Sequence, residues 1–346
     1  MTLHLPLAAN VIIFLAAALG VWFAGNGLAN DADDVSDRTG LGSQFVGLVL
    51  LATATSLPEI VTTSAAAVAG NAALVLGNLF GGITMQTAIL AAADALLVTG
   101  VLTMYPRKPT HALEAILLVV LLSVLLAACI FGDREVAFGV GAGTMLLGLF
   151  YAGSIWLLRR YDANSDWIPL DLPEALPEPN SHRPKRQADV SLSRLYLRMS
   201  GYSSLILIGG IVLVTSAEAI AQQSGLGASF IGVTVLATAT SLPEISTTFA
   251  AVRLGAYTMA ISNIFGSNLI MLALLLPADM LYRDGTLLAG AGKSELLALI
   301  FGLMVTAIYV TGILVRRKPK VLGMGLDSAC VLAVYATSLA VLYAVR

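Results

Sequence analysis

The sequence predicts an all-α membrane protein of ten transmembrane helices, arranged as two inverted five-helix repeats. Three observations predict it. The chain of 346 residues is 58% hydrophobic and only 12% charged, with mean hydropathy +0.87, whereas a soluble domain carries about 25% charged residues. Apolar runs of about twenty residues recur along the whole length, each able to cross roughly 30 Å of hydrocarbon at 1.5 Å per residue. One stretch occurs twice without a changed letter: Ala52-Thr53-Ala54-Thr55-Ser56-Leu57-Pro58-Glu59 and Ala237-Thr238-Ala239-Thr240-Ser241-Leu242-Pro243-Glu244. The flanks match at the same spacing, Gly40 with Gly225, Phe45 with Phe230, and Asn78-Leu79-Phe80-Gly81 with Asn263-Ile264-Phe265-Gly266. An internal repeat of this kind is duplication of one structural unit.

In chain order, span 1 covers about 7–25; no Lys or Arg precedes it within residues 1–10, so it reads as a retained helix and not a secretory leader. The acidic patch Asn30 to Arg38 follows as a wet helix end or loop; its aspartates lack the spacing of an EF-hand. Span 2, about 42–69, carries the first motif. Span 3, about 72–99, is expected to break at Gly77-Asn78 and Gly81-Gly82. Span 4 covers about 112–131 and span 5 about 136–158. Residues 159–198 are charged and proline-bearing and read as an extended linker. Spans 6 to 10 then cover about 201–221, 228–254, 257–281, 294–315 and 324–345. Spans 2, 3, 7 and 8 are the broken ones. The domains are thus 1–158, the linker, and 199–346. Glu114 and Glu295 lie in first helical turns, where the helix dipole favours a carboxylate. Cys129 and Cys330 sit in apolar runs and read as small core residues; His4, His111 and His182 form no ligand cluster.

Orientation follows from the basic residues. Ten spans place both termini and the even-numbered loops on one side, with four of the 19 Lys and Arg residues. The linker side holds the other fifteen, so the linker is expected in the cytoplasm and both termini outside a cell (inner) membrane. Spans 2 and 7 are an odd number of spans apart and cross in opposite directions. That is the inverted-repeat plan of many secondary transporters.

At the motif, Pro58 has no N–H, so the Ala54 carbonyl loses its helical partner, and Pro243 does the same to Ala239. A gap of this kind is tolerated within a membrane only against protein or water. Freed carbonyls with Thr55, Ser56, Thr240 and Ser241 make an oxygen-rich patch suited to a hard cation. Glu59 and Glu244 add charge at matching depth; an acid at the bilayer centre costs roughly 2.5–3.5 kcal/mol and marks function. If the repeats pack about a pseudo-twofold axis, the two carboxylates meet and repel unless a cation or proton lies between them. Ser56-Leu57-Pro58-Glu59 also fits a capping box with Pro in the first turn. Capping and ion binding can coexist.

The doubled Thr-Ser-Leu-Pro-Glu, with Asn-x-x-Gly after it in each five-helix half, resembles the alpha-repeats of the sodium/calcium exchanger family, of prokaryotic type without a large regulatory domain. The resemblance covers essentially the whole chain. It implies Thr55, Ser56, Glu59, Thr240, Ser241, Glu244 and Ser267 as ion ligands. It also implies the Ala52 and Ala237 carbonyls as sodium ligands, with Asn78, Gln86 and Asn263 as further candidates. Three positions depart from the family pattern: Gly82 replaces a Ser, and Gln86 and Met271 stand where an Asn or Asp is expected. Asp94 and Asp279 are repeat counterparts near helix ends, read as polar helix ends at an interface or, more sharply, as a cation-attracting vestibule.

The expected function is secondary active antiport by alternating access at one midplane site, most simply sodium against calcium. Spans 1 and 6, apolar and unbroken, would move against the rest. A calcium/proton antiporter and a passive cation channel are the other readings. An enzyme is not expected, because no His accompanies the motif. The partners expected are inorganic cations and the lipid bilayer, with no cofactor, nucleic acid or protein partner.

Overall fold

The computed structural model describes residues 5–40, 46–106, 109–137, 139–164, 190–224, 237–316 and 319–345. The expected start of span 2, the first third of span 7 and most of the 159–198 linker lie outside them. Eight helices among the described residues are long and apolar enough to cross a membrane, nine if one bent pair is taken as a single span.

Helix α1 (Leu7–Thr39) runs one continuous 33-residue course. It ends where Gly40 takes φ 68° and returns its N–H to the Ser36 carbonyl at 3.1 Å, a left-handed cap that glycine adopts without strain. The acidic patch is therefore helical, and only part of it is wet: Asp31 and Asp33 are buried, while Asn30, Asp37 and Arg38 are exposed. Helix α7 (Leu192–Ser224) begins earlier than hydropathy implies and lies along α1. Its Arg198 pairs with Asp31 at 3.0 Å. The aliphatic stem of such an arginine covers apolar surface while its head meets the acid.

The first motif comprises π-helical turns (Val46–Leu51), α2 (Ala52–Thr55) and α3 (Leu57–Val68), the latter bent by 50° from the segment before it. Then come α4 (Ala72–Leu97), α5 (Thr110–Phe131), the short strands β1 (Glu135–Ala137) and β2 (Val140–Gly141), and α6 (Ala142–Asn164). After α7 come α8 (Ala237–Thr240), α9 (Leu242–Arg253), α10 (Tyr257–Ala273), α11 (Leu275–Leu281), α12 (Lys293–Val315), strands β3 (Lys320–Val321) and β4 (Met324–Gly325), and α13 (Leu326–Val345). The strands pair as two antiparallel hairpins, outside an otherwise helical plan.

One expected break is corrected. Helix α4 is unbroken through Gly77, Gly81 and Gly82, because glycine keeps its N–H donor and weakens a helix without opening it. Span 8 is interrupted, at Leu274; Pro277 removes the donor that would meet the Ala273 carbonyl.

Helices α4 and α10 are buried along most of their length and form the centre. Outer helices turn large apolar side chains outward, among them Phe23, Leu149 and Leu197, as a lipid-facing surface requires. The small Gly210 of α7 rests on the first break: a Cβ there would come within 2.4 Å of Pro58 Cγ. Its counterpart Gly25 of α1 rests on Ser246 of α9, with Oγ 1.7 Å from such a Cβ. Gly210→Val is expected to lower stability by about 1–3 kcal/mol through overpacking, read as thermal unfolding in detergent. Gly201→Ala on the same helix, with nothing within 4 Å, is the control and is expected to be neutral or mildly stabilising.

Candidate functional site

The two motif copies fold alike. Ser56 takes φ −81°, ψ 6° and Ser241 φ −83°, ψ 3°, each a hinge between a four-residue helix and the next. The Ser56 amide donates to Ala52 O at 3.0 Å and Ile60 to Ser56 O at 3.0 Å; Ser241 to Ala237 O and Ile245 to Ser241 O repeat both distances. Thr55 Oγ1 and Thr240 Oγ1 donate to those same Ala52 and Ala237 carbonyls at 3.2 Å. Each carbonyl thus accepts an amide and a hydroxyl, filling its two lone pairs. The serines stand at N-cap positions, yet neither side chain makes a capping bond. The capping box is present in spacing and absent in bonding: Ser56 Oγ turns instead to Ser267 Oγ of α10 at 2.8 Å.

Glu59 and Glu244 occupy the first turns of α3 and α9 and are fully buried. They lie near enough for the charge of Glu244 to act on Glu59. Thr240 lies beside Glu59 and Thr55 beside Glu244, so each copy serves the other's acid. Ser267 Oγ donates to Glu244 Oε1 at 3.2 Å. Both Glu59 oxygens, Glu244 Oε2 and Ser241 Oγ are buried without a hydrogen-bond partner among the described residues. Buried polar atoms are nearly always bonded, and a lone buried charge is costly. Such a concentration of bare acceptors is the chemistry of a chamber that takes up a hard cation or protons.

The flanks come from α4 and α10. Asn263 Nδ2 donates to Thr247 Oγ1 at 3.1 Å, while the side-chain amides of Asn78 and Gln86 are buried without partners among the described residues. Among the described residues no group of three or more His, Cys, Asp or Glu is assembled. Sequence reasoning missed Asn268, whose Nδ2 reaches Thr87 Oγ1 at 3.5 Å across the α4–α10 contact; its repeat counterpart is Ile83, so comparing copies passes over it. It also missed that His111 Nδ1 meets Glu114 Oε2 at 3.1 Å and Ser262 Oγ at 3.1 Å. The spacing of three along a helix was the available signal.

Asp94 and Asp279 do not line an opening. Asp94 accepts from Leu102 N at 2.7 Å and Gly325 N at 2.9 Å. Asp279 accepts from Leu287 N at 2.7 Å, Gly141 N at 2.8 Å and Thr144 Oγ1 at 2.5 Å. Both are buried, and each holds the hairpin that belongs to the opposite copy. Glu295 is likewise structural, accepting from Gly292 N at 2.9 Å. In the first hairpin turn, burial pushes the Asp133 carboxyl above its usual range, against the Gly143 N–H at 2.7 Å.

With this geometry in hand, comparison with known proteins is specific. The profile of the sodium/calcium exchanger protein family matches residues 9–159 and 200–344. A putative antiporter, CaxA of Alkalimonas amylolytica, is 26% identical over 291 residues, covering 84% of this chain and 85% of that protein. The inner membrane protein YrbG of Escherichia coli is 22% identical over 276 residues, 79% of this chain and 80% of the relative. A solved structure of the sodium-calcium exchanger NCX_Mj superposes with TM-score 0.69 at 16% identity, over 97% of this chain and 99% of that one.

Proposed function

Since the chain belongs to the sodium/calcium exchanger protein family, we propose that it is a secondary active cation antiporter that exchanges sodium for calcium. One buried site would serve both ions. The observation that carries this reading is the pair of buried carboxylates, one from each motif copy, of which both Glu59 oxygens and Glu244 Oε2 have no hydrogen-bond partner among the described residues.

In this reading the chain crosses a cell (inner) membrane ten times. Two inverted five-helix halves, 1–158 and 199–346, are joined by the cytoplasmic linker 159–198, with both termini outside. Glu59 and Glu244 supply charge. Thr55, Ser56, Thr240, Ser241 and Ser267 supply neutral oxygens, and Asn78, Gln86 and Asn263 stand behind them. The Ala52 and Ala237 carbonyls join the shell once their threonine hydroxyls rotate away. Two ionised carboxylates so close repel each other, so the chamber changes access only when loaded. Because calcium and sodium compete for the same acids, one ion leaves as the other enters, and that competition couples the fluxes. Helices α1 and α7, resting by glycine on Ser246 and Pro58, are the elements that move across the site.

The bare state of both acids also favours a second reading, in which protons replace sodium. Purified protein in liposomes decides. Calcium uptake is expected when an outward sodium gradient is imposed and not when potassium replaces it. Uptake driven by a pH gradient without sodium selects the proton reading. Calcium current without any counter-ion gradient would make the protein a channel and end the antiport reading.

A further inference from the structure

The charge inventory of the chamber leads one step beyond the antiport reading, on which it rests. Glu59 and Glu244 are its acids. Among the described residues no further His, Cys, Asp or Glu joins them, and the charge acting on Glu59 is that of Glu244, with no Lys or Arg beside either acid. Asp94 and Asp279 are held elsewhere by backbone amides.

The two halves of the chamber are unequal. On one side Ser267 bonds Ser56 at 2.8 Å and Glu244 at 3.2 Å. Its repeat counterpart is Gly82, which has no hydroxyl to offer, and Ser241 Oγ is left without a partner. The room beside Gly82 is filled by a thioether: a Cβ on Gly82 would come within 2.7 Å of Met271 Cε and 3.2 Å of its Sδ. Met271 is itself the counterpart of Gln86, and neither carries charge. Where another ligand would complete this half, there is a methyl group.

Carrying an uncompensated charge through a buried site costs several kcal/mol. The favoured loads are therefore those that cancel two carboxylates: one divalent cation, two monovalent cations or two protons. We propose that exchange is electroneutral, one divalent cation against two monovalent cations or protons, and that Met271, seated on Gly82, sets this count by closing the chamber to a further ligand.

The test uses the full chain in liposomes with calcium as probe. Sodium and proton gradients are imposed in separate arms, and the membrane potential is clamped by a potassium gradient with a potassium ionophore. The equilibrium calcium ratio is expected not to move when the potential changes. One net charge per cycle would shift it by about 2.3 kcal/mol per 100 mV, about fiftyfold; a shift of that size overturns the proposal. Absence of calcium exchange in both arms would instead remove the antiport reading, and this inference with it. Met271→Leu keeps the volume without the sulfur and is expected to stay insensitive to potential; sensitivity there overturns the role given to Met271. Gly82→Ser with Met271→Asp adds a hydroxyl and a third acid; each load then carries three positive charges, a monovalent cation or proton accompanying calcium, so the calcium ratio is expected to stay independent of potential, and a shift of about fiftyfold per 100 mV there overturns the rule that loads cancel the acids.

Discussion

Glu59→Gln and Glu244→Gln are each expected to reduce calcium exchange in liposomes by at least about a hundredfold, while leaving the folded protein as stable as the parent or more so. The two signs differ because the two costs differ. An amide of the same size keeps the packing and removes one of two mutually repelling charges, so the resting fold loses nothing. The loaded chamber then holds a divalent cation against a single carboxylate. An uncompensated buried charge of that kind costs about 3–5 kcal/mol, which converts to more than a hundredfold in occupancy. The checks are initial rates of calcium uptake and thermal unfolding in detergent on the same preparations. Parent-like exchange by either variant would refute the assignment of the acids. Lost exchange with a collapsed melting temperature would make them structural. A smaller effect is expected for Ser267→Ala, which deprives Glu244 Oε1 and Ser56 of a partner and leaves the charge count unchanged.

Asp279→Ala is expected to be the most destabilising single change outside the chamber, by about 3–5 kcal/mol. Its carboxylate satisfies two backbone amides and the Thr144 hydroxyl in a fully buried setting. Removing it orphans both amides, and each buried unsatisfied group costs about 1–3 kcal/mol; the Thr144 hydroxyl keeps the Gly141 carbonyl as acceptor at 3.0 Å. Asp279→Asn keeps one acceptor and is expected to lose less. Asp94→Ala is expected to follow the same pattern through Leu102 and Gly325. Thermal unfolding and protease resistance of the first hairpin, residues 135–141, measure the effect. Ion affinity in whatever fraction stays folded is expected to be unchanged, since neither aspartate touches the chamber.

Much of this was legible because the chain states it twice. The repeated Pro-Glu pair marks the break and the acid together, and proline's missing donor makes the break a covalent fact. The meeting of Glu59 and Glu244 follows from matched depth. Glycine misleads in α4, where Gly77 and Gly82 predict interruptions that the helix does not have. Their amides still donate, and their missing side chains let neighbouring helices close in. Asp31 misled differently: hydropathy sees an acidic stretch, and the cover given by α7 is a tertiary fact no local window contains. Asn268, and the His111 cluster with Ser262, escaped because neither has a counterpart in the other copy. The reciprocal grip of Asp94 and Asp279 was half visible. Their pairing came from the repeat, while their partners are backbone amides that carry no signature in sequence.

The length of α1 and α7 has a bearing of its own. At 33 residues each, they extend about 50 Å at 1.5 Å per residue, against a hydrocarbon layer of roughly 30 Å. The surplus must lean or protrude, and lean answers to the thickness of the surrounding lipid. These are also the two helices seated by glycine on Pro58 and Ser246. In the proposed antiport cycle this pair moves across the acids, so calcium exchange is expected to change with acyl-chain length, measured in liposomes of differing bilayer thickness.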